Sequence, residues 1–423
     1  MKIFSIYRIL VPLFILGYAS AYSFAQESKN TSWTRFRGSD GMGVEAMGRV
    51  AVQWDSSAYQ WEVSLPGLGH SSPVVWDGTI FVTSAVDSTQ TGYVMAIDEE
   101  KGQILWQHAY NLSELSMHKD NNLASSTPAV DDTQVFVIWY AKEKITLMAL
   151  SHEGQAQWQS EFDGIEARHG GGSSLVLTDG AVVFTREQEE GSIFSSTWVA
   201  VDKISGQILW EVERESCTRN SFSTPLPLQN AMQEKLLLFT SEAHGFTLLD
   251  AKTGRVMGEN PSILTHRVVA SPIYSDGLAV GCRKGETVVL EMDLNSHRVA
   301  DTALYTLAPN LSPYVPTPII VKDLLFLFLD NGSVACLRLK SGEVLWRERP
   351  AGPLYGSPVC VGGKLYCISK AGEVMVLNAG SKYELLGINT LGEGSYSTPV
   401  MSNSGMVLRS FSKLRLLPNI SNP

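Results

Sequence analysis

Cysteine is scarce in this chain, with Cys217, Cys282, Cys336, Cys360 and Cys367 the only five among 423 residues. Five is too few, and odd in number, for a disulfide-stapled scaffold, so the sequence supports small buried hydrophobes within strands. Cys360 and Cys367 flank Gly362-Gly363, and a two-residue hairpin loop there sets Cys360 opposite Leu365 rather than Cys367. Positive charge is in deficit as well: 33 Lys and Arg stand against 43 Asp and Glu, for a formal net charge of −10. That balance excludes nucleic acid and anionic membrane surfaces as global partners. The glycine-rich stretch GIEARHGGGSS (164 to 174) lacks the lysine of a phosphate loop, and no H-E-x-x-H, paired-cysteine zinc motif, calcium loop or G-x-S-x-G elbow is present, so no metal or catalytic residue is assigned. The apolar stretch Ile9 to Tyr18 is shorter than the roughly 20 residues of a membrane span; behind Lys2 and Arg8 and ahead of small residues, it reads as a secretory leader. Cleavage is expected after Ala25, with Ala21 as the alternative. The mature chain, 26–423, is expected to be one domain exported to the periplasm or beyond, without a stable membrane anchor.

What the sequence has in abundance is punctuation, 36 Gly and 18 Pro within 44% hydrophobic residues, and it recurs. A small or hydroxyl residue, proline and an alternating apolar run appear as SSPVVWDGTIFVTS from Ser71 and STPAVDDTQVFVI from Ser126, and again from Ser173 (with Leu175 for proline), Ser223, Ala270, Pro316, Gly356 and Ser397. These eight copies lie 40 to 55 residues apart. Asp77-Gly78, Asp179-Gly180, Asp276-Gly277 and Gly362-Gly363 supply hairpin turns. A second phrase, as in AIDEEKGQILW (96 to 106) and AVDKISGQILW (200 to 210), adds a turn and a tryptophan-bearing outer strand. Four short antiparallel strands per unit specify an all-β, eight-bladed propeller. The last copy ends about one strand short, and QWEVS (60 to 64) is the segment expected to complete it, closing the ring with strands from both ends of the chain. Copies four, five and seven lack the outer tryptophan and should be held by other contacts.

The pattern A-x-D-x-x-x-G-x-x-x-W, with WTRFRGSDGMGV (33 to 44), NNLASSTPAV (121 to 130) and RNSFSTPL (219 to 226), resembles the PQQ-binding-like (pyrroloquinoline-quinone-type) propeller repeat proteins. These are related in fold to quinoprotein alcohol dehydrogenases and to BamB-like outer-membrane assembly factors. The resemblance implies the fold over nearly all of the mature chain and two functional expectations. The first is a non-catalytic binding or scaffold module with a protein partner or a small anionic ligand. The alternative is a PQQ-dependent oxidoreductase acting on alcohols or sugars, with calcium beside the quinone. Such dehydrogenases use adjacent cysteines and often an attached haem, whereas this chain has no Cys-Cys pair and no C-x-x-C-H. No cofactor is therefore expected under the first reading, and PQQ with calcium only under the second.

Connectors between blades must emerge on one face and rim the channel. Aligned on the recurring proline, His169, Arg219 and His266 occupy one position six residues upstream in three successive copies, with Arg168, Asn220 and Arg267 beside them. His70 and His118 lie in the connectors of copies one and two, and the loops between second and third strands would add Arg186, His244, Arg283 and Lys284. In an acidic protein this is a local concentration of cationic and titratable groups, suited to carboxylate, phosphate or sulfate. Pairing with nearby glutamates is the competing fate of each residue.

Overall fold

The computed structural model describes residues 32–420, so the expected leader lies outside the described residues. Eight sheets follow one another along the chain. The inner strand of each begins directly after the recurring small-residue-proline phrase: Val74–Trp76, Ala129–Val130, Val176–Thr178, Leu226–Gln229, Ile273–Ser275, Ile319–Val321, Val359–Val361 and Val400–Met401. We number the blades 1 to 8 in that order. Each continues through three antiparallel neighbours, as in blade 1, where Thr79–Val86, Thr91–Asp98 and Ile104–Asn111 complete the sheet. Blade 8 takes its outer strand from the other end of the chain, Trp61–Ser64 pairing antiparallel with Lys413–Pro418 and Trp61 opposite Leu416. The expected closure is therefore the observed one, and it leaves no open seam between first and last blades.

Proline before seven of the eight inner strands, with Leu175 in its place in blade 3, fixes more than a turn. The residue ahead of a proline is held in extended geometry, which presents its backbone N–H sideways to the next blade. Ser72 N–H donates to Thr127 Oγ1, Thr127 to Ser174, Ser174 to Thr224, Thr224 to Ser271, Ser271 to Thr317, Thr317 to Ser357 and Ser357 to Thr398, each at 3.0 Å. Thr398 N–H returns to Ser72 Oγ at 3.3 Å and closes the ring. All eight residues are nearly or fully shielded from solvent, where an unmade N–H bond would cost about 1–3 kcal/mol. A serine or threonine at this place thus joins each blade to its neighbour.

The outer tryptophans join the blades at their other end. Indole N–H groups of Trp61, Trp106, Trp158, Trp210 and Trp346 donate to Glu99, His152, Lys203, Ala251 and Gly380 carbonyls of the following blade at 2.7 to 3.1 Å. Each of the first four rings lies against the glycine of the next turn; a Cβ on Gly206 would sit 2.5 Å from the Trp158 ring, so only glycine fits. Blades 4, 5 and 7 are held differently. Tyr305 of blade 5 covers Gly342 and donates to Leu339 O at 2.5 Å. Gly258 of blade 4 lets the backbone of His297 approach, and Val52 and Gln53 lie along the outer strand of blade 7, where Gln53 donates to Leu386 O at 3.0 Å.

The cysteines are free and buried, and Cys360 stands opposite Leu365 in register. One feature has no counterpart in the repeats: residues 33 to 50 run through the channel. Trp33 bridges Val75, Thr34 O accepts from Val130 N–H, and Val44–Glu45 adds a parallel strand to the inner edge of blade 7. Arg35 and Arg37, both fully buried, donate to Pro225 O at 3.4 Å and Pro318 O at 2.9 Å. This segment plugs the channel beneath the hydroxyl ring.

Candidate functional site

Above the plug the channel opens into a cavity of about 340 Å³, floored by Phe36 and lined by the eight ring hydroxyls. Strand alternation sets what comes next. Residues one position above the ring turn into the blades, and those two positions above face the cavity again: His70, Phe222, Val269, Val315, Tyr355 and Tyr396 among them. Gly172 holds the same place in blade 3, where a Cβ would meet the Phe222 ring at 2.8 Å, and Gly171 abuts the Tyr140 ring, so the triple glycine lets two crowded walls meet.

At the rim the two sides differ. Over blades 3 to 5 stand His169, Arg219, Arg267 and Lys284. Arg267 is buried, donates through Nε to Asn220 O at 3.0 Å and lies 4.9 Å over the Phe222 ring. Among the described residues no carboxylate comes within ion-pair distance of Arg219, Arg267 or Lys284. His169 stacks on His118 with ring centroids 5.3 Å apart. Burial first, then the positive neighbours Arg267, His118, Arg219 and Arg168, push its imidazole down to about 4, since both desolvation and like charge disfavour the protonated ring.

Over blades 7, 8 and 1 the rim lysine is paired, while the buried Arg409 guanidinium donates to Ser71. The long connector between blades 1 and 2 carries Asp120 across the mouth to Tyr396 Oη at 3.0 Å, Tyr355 Oη at 3.2 Å and Lys370 Nζ at 3.4 Å. Lys370 also lies over the Tyr355 and Tyr396 rings at 4.2 and 4.9 Å. Burial works to raise the Asp120 carboxyl, but hydrogen bonds from Tyr396 and Lys370 and the lysine charge hold it below the usual carboxylate range. His70, against Tyr396 at 4.7 Å, is pushed down to about 3 by burial and the Arg409 guanidinium.

Of the residues singled out by sequence, the structure gathers His70, His169, Arg219 and Arg267 at the cavity, with His118 and Lys284. Asn220 is buried just behind, its amide donating to Gly170 O at 2.8 Å. Arg168 and His266 are not brought in. The Arg168 side chain is 80% exposed and 3.6 Å from Glu189. His266 is exposed outside the cavity, and the next residue, Arg267, is the buried one that lines it. Arg186 is spent on Asp163 at 3.4 Å and Glu211 at 3.2 Å, Arg283 on Glu286 at 2.7 Å, and His244 accepts from Glu215 N–H. Asp120, Tyr355, Tyr396 and Lys370 escaped sequence reasoning: their partners lie 235 to 276 residues apart. The signal that could have found the tyrosines is their place two residues before the repeating hydroxyl.

With this geometry in hand, the chain can be set beside known proteins. It is 24% identical over 358 residues to the outer membrane protein assembly factor BamB of Yersinia pestis, covering 82% of this chain and 75% of that one. Among solved structures, a europium-containing methanol dehydrogenase superposes with a TM-score of 0.67 at 11% identity, covering 90% of each chain. BamB from Moraxella catarrhalis superposes at 0.59 and 15% identity, covering 84% of this chain and 98% of that one. These likenesses show the fold. The family described as outer membrane protein assembly factor BamB matches residues 46–255 and 195–410, which together span most of the described residues, and the chain belongs to that family.

Proposed function

We propose that the protein is an exported binding scaffold of the cell envelope that receives an anionic ligand, or the acidic segment of a protein partner, in the channel mouth. Similarity to an outer membrane protein assembly factor favours a scaffold role in envelope protein assembly. The observation that carries the anionic part is the arc formed by Arg219, Arg267 and Lys284, which faces a hydroxyl-lined cavity with no carboxylate in range. Guanidinium forks bind oxyanions through charge-assisted hydrogen bonds, here with Arg267 buried and Arg219 exposed at the rim. Water would solvate these groups in the free protein, and an oxyanion would replace it.

The quinone-dependent alternative is tested by the donor set. A calcium-held quinone needs acidic and amide oxygens gathered at the mouth, and among the cavity-lining residues only Asp120 is a carboxylate, already taken by Lys370 and two tyrosines. The cysteines are single and buried, four in strands and Cys217 in a connector. These residues do not suit that group, and no redox step is derived. The test of the binding role is thermal unfolding of the mature chain with phosphate, sulfate, succinate and citrate. A rise in Tm that is lost in the Arg219→Ala/Arg267→Ala variant and shrinks with added salt is expected. No rise in the unaltered protein would refute the reading. Dye reduction by alcohols or sugars after reconstitution with the quinone and calcium would establish the alternative.

A further inference from the structure

The mouth is arranged in three tiers, and their order constrains what fits. Deepest is the ring of eight hydroxyls, in which every oxygen already accepts an N–H from the preceding blade. A hydroxyl so engaged keeps its proton to donate, and among the described residues none of the eight donates to a protein acceptor. Beneath it, the plug adds fixed positive charge. Arg35 and Arg37 bind the carbonyls of Pro225 and Pro318, the residues immediately after ring members Thr224 and Thr317. Among the described residues no carboxylate lies within ion-pair distance of either guanidinium, the Asp40 charge acting on both from farther off, and Arg35 Nη2 and Arg37 Nε and Nη1 lack partners. Unpaired buried charge is costly, and it raises the positive potential at the ring.

The middle tier lies two residues higher, about 7 Å along extended chain. It is mostly apolar or aromatic, with Phe222, Val269, Val315, Tyr355 and Tyr396 in it. The outer tier is the Arg219, Arg267 and Lys284 arc. A ligand with one charged end leaves either the donor ring or the cationic rim unmet. A ligand polar throughout places its polar body against aromatic walls.

We infer that the mouth takes an organic acid bearing two oxyanion groups on an apolar or aromatic spacer, inserted end-on. The inner group takes the ring hydroxyl protons, the spacer lies along Phe222 and Tyr355, and the outer group meets Arg219 and Arg267. This rests on the reading of the mouth as an anion site and specifies the ligand class for it.

Calorimetric titration of the mature chain with α,ω-dicarboxylates from succinate to sebacate, and with the monoamide of each, tests it. Affinity should peak at one spacer length, and the monoamide of that length should bind about tenfold more weakly, the loss of one charge-assisted contact. Thr224→Val should weaken the best diacid about tenfold and leave its monoamide nearly unchanged, with Thr224→Ser as the folded control that keeps the hydroxyl. Monoamides that match their diacids throughout, or affinity that climbs steadily with chain length, would overturn the two-ended ligand while leaving an anion-binding mouth. Absence of binding by every acid, single or double, would overturn the anion site together with it. The series on the unaltered protein decides the matter even where a ring substitution costs the fold.

Discussion

Lys284 and Lys370 sit in equivalent loops, between the second and third strands of blades 5 and 7, and meet opposite fates. Lys370 has Asp120 at 3.4 Å and two tyrosine faces beneath it; Lys284, beside Arg219 and Arg267, has no carboxylate in range. The scaffold supplies the same position twice. What separates the two is the long connector between blades 1 and 2, which delivers one carboxylate to one side of the mouth only. A propeller rim therefore acquires a binding side where a connector fails to neutralise it, and binding energy is to be sought on the unsatisfied arc.

Five variants sharpen or break that contrast, taken in descending order of effect with Lys370→Ala as the comparison for the first. Removing both rim guanidiniums, Arg219→Ala/Arg267→Ala, should weaken anion binding about a hundredfold, whereas Lys370→Ala should change it less than about threefold; calorimetry on the two variants reads the difference. Asp120→Asn should cost about 1 kcal/mol in urea unfolding, since a partly buried ion pair is lost and the two phenols lose their charged acceptor, and should also raise anion affinity about threefold by releasing Lys370. A smaller effect is expected with pH. Because His169 in the folded protein is held down to about 4, below its ordinary value near 6.5, the unfolded chain binds the extra proton first as pH falls. The His169 contribution should thus be intact above about pH 6.5 and lost between 6.5 and 4, with His70, held down to about 3, carrying the decline further; His169→Asn should make the decline above pH 4 less steep, as read by urea unfolding across the range. Smallest is Tyr355→Phe, expected to cost about 0.5–1 kcal/mol because it removes one of the phenol bonds to Asp120.

The fold was legible because it is repeated. Eight copies of one phrase fix blade number, hairpins and tryptophan docks, and a strand missing from the last copy points to 60–64. The plug was not legible: residues 33 to 50 have no second copy, and Arg35 and Arg37 look like surface charges until the channel closes around them. At the mouth, alignment on proline found Arg219 and His169 because connectors of similar length enter the channel alike. It misplaced His266: in that connector the following residue, Arg267, is the one that lines the cavity. Asp120 and its partners come together only through ring closure, which no local pattern encodes. The hydroxyl ring was visible letter by letter before each proline, yet its role as an inter-blade clasp needed the blades set side by side.

The central claim is that Arg219, Arg267 and Lys284 form an uncompensated positive site, and His169 is its built-in reporter. Proton NMR titration of the His169 imidazole, assigned with His169→Asn, should give a pKa near 4 in dilute buffer, with a rise toward the ordinary value as an anion fills the mouth. An imidazole that titrates near 6.5 and ignores added anion would contradict the account.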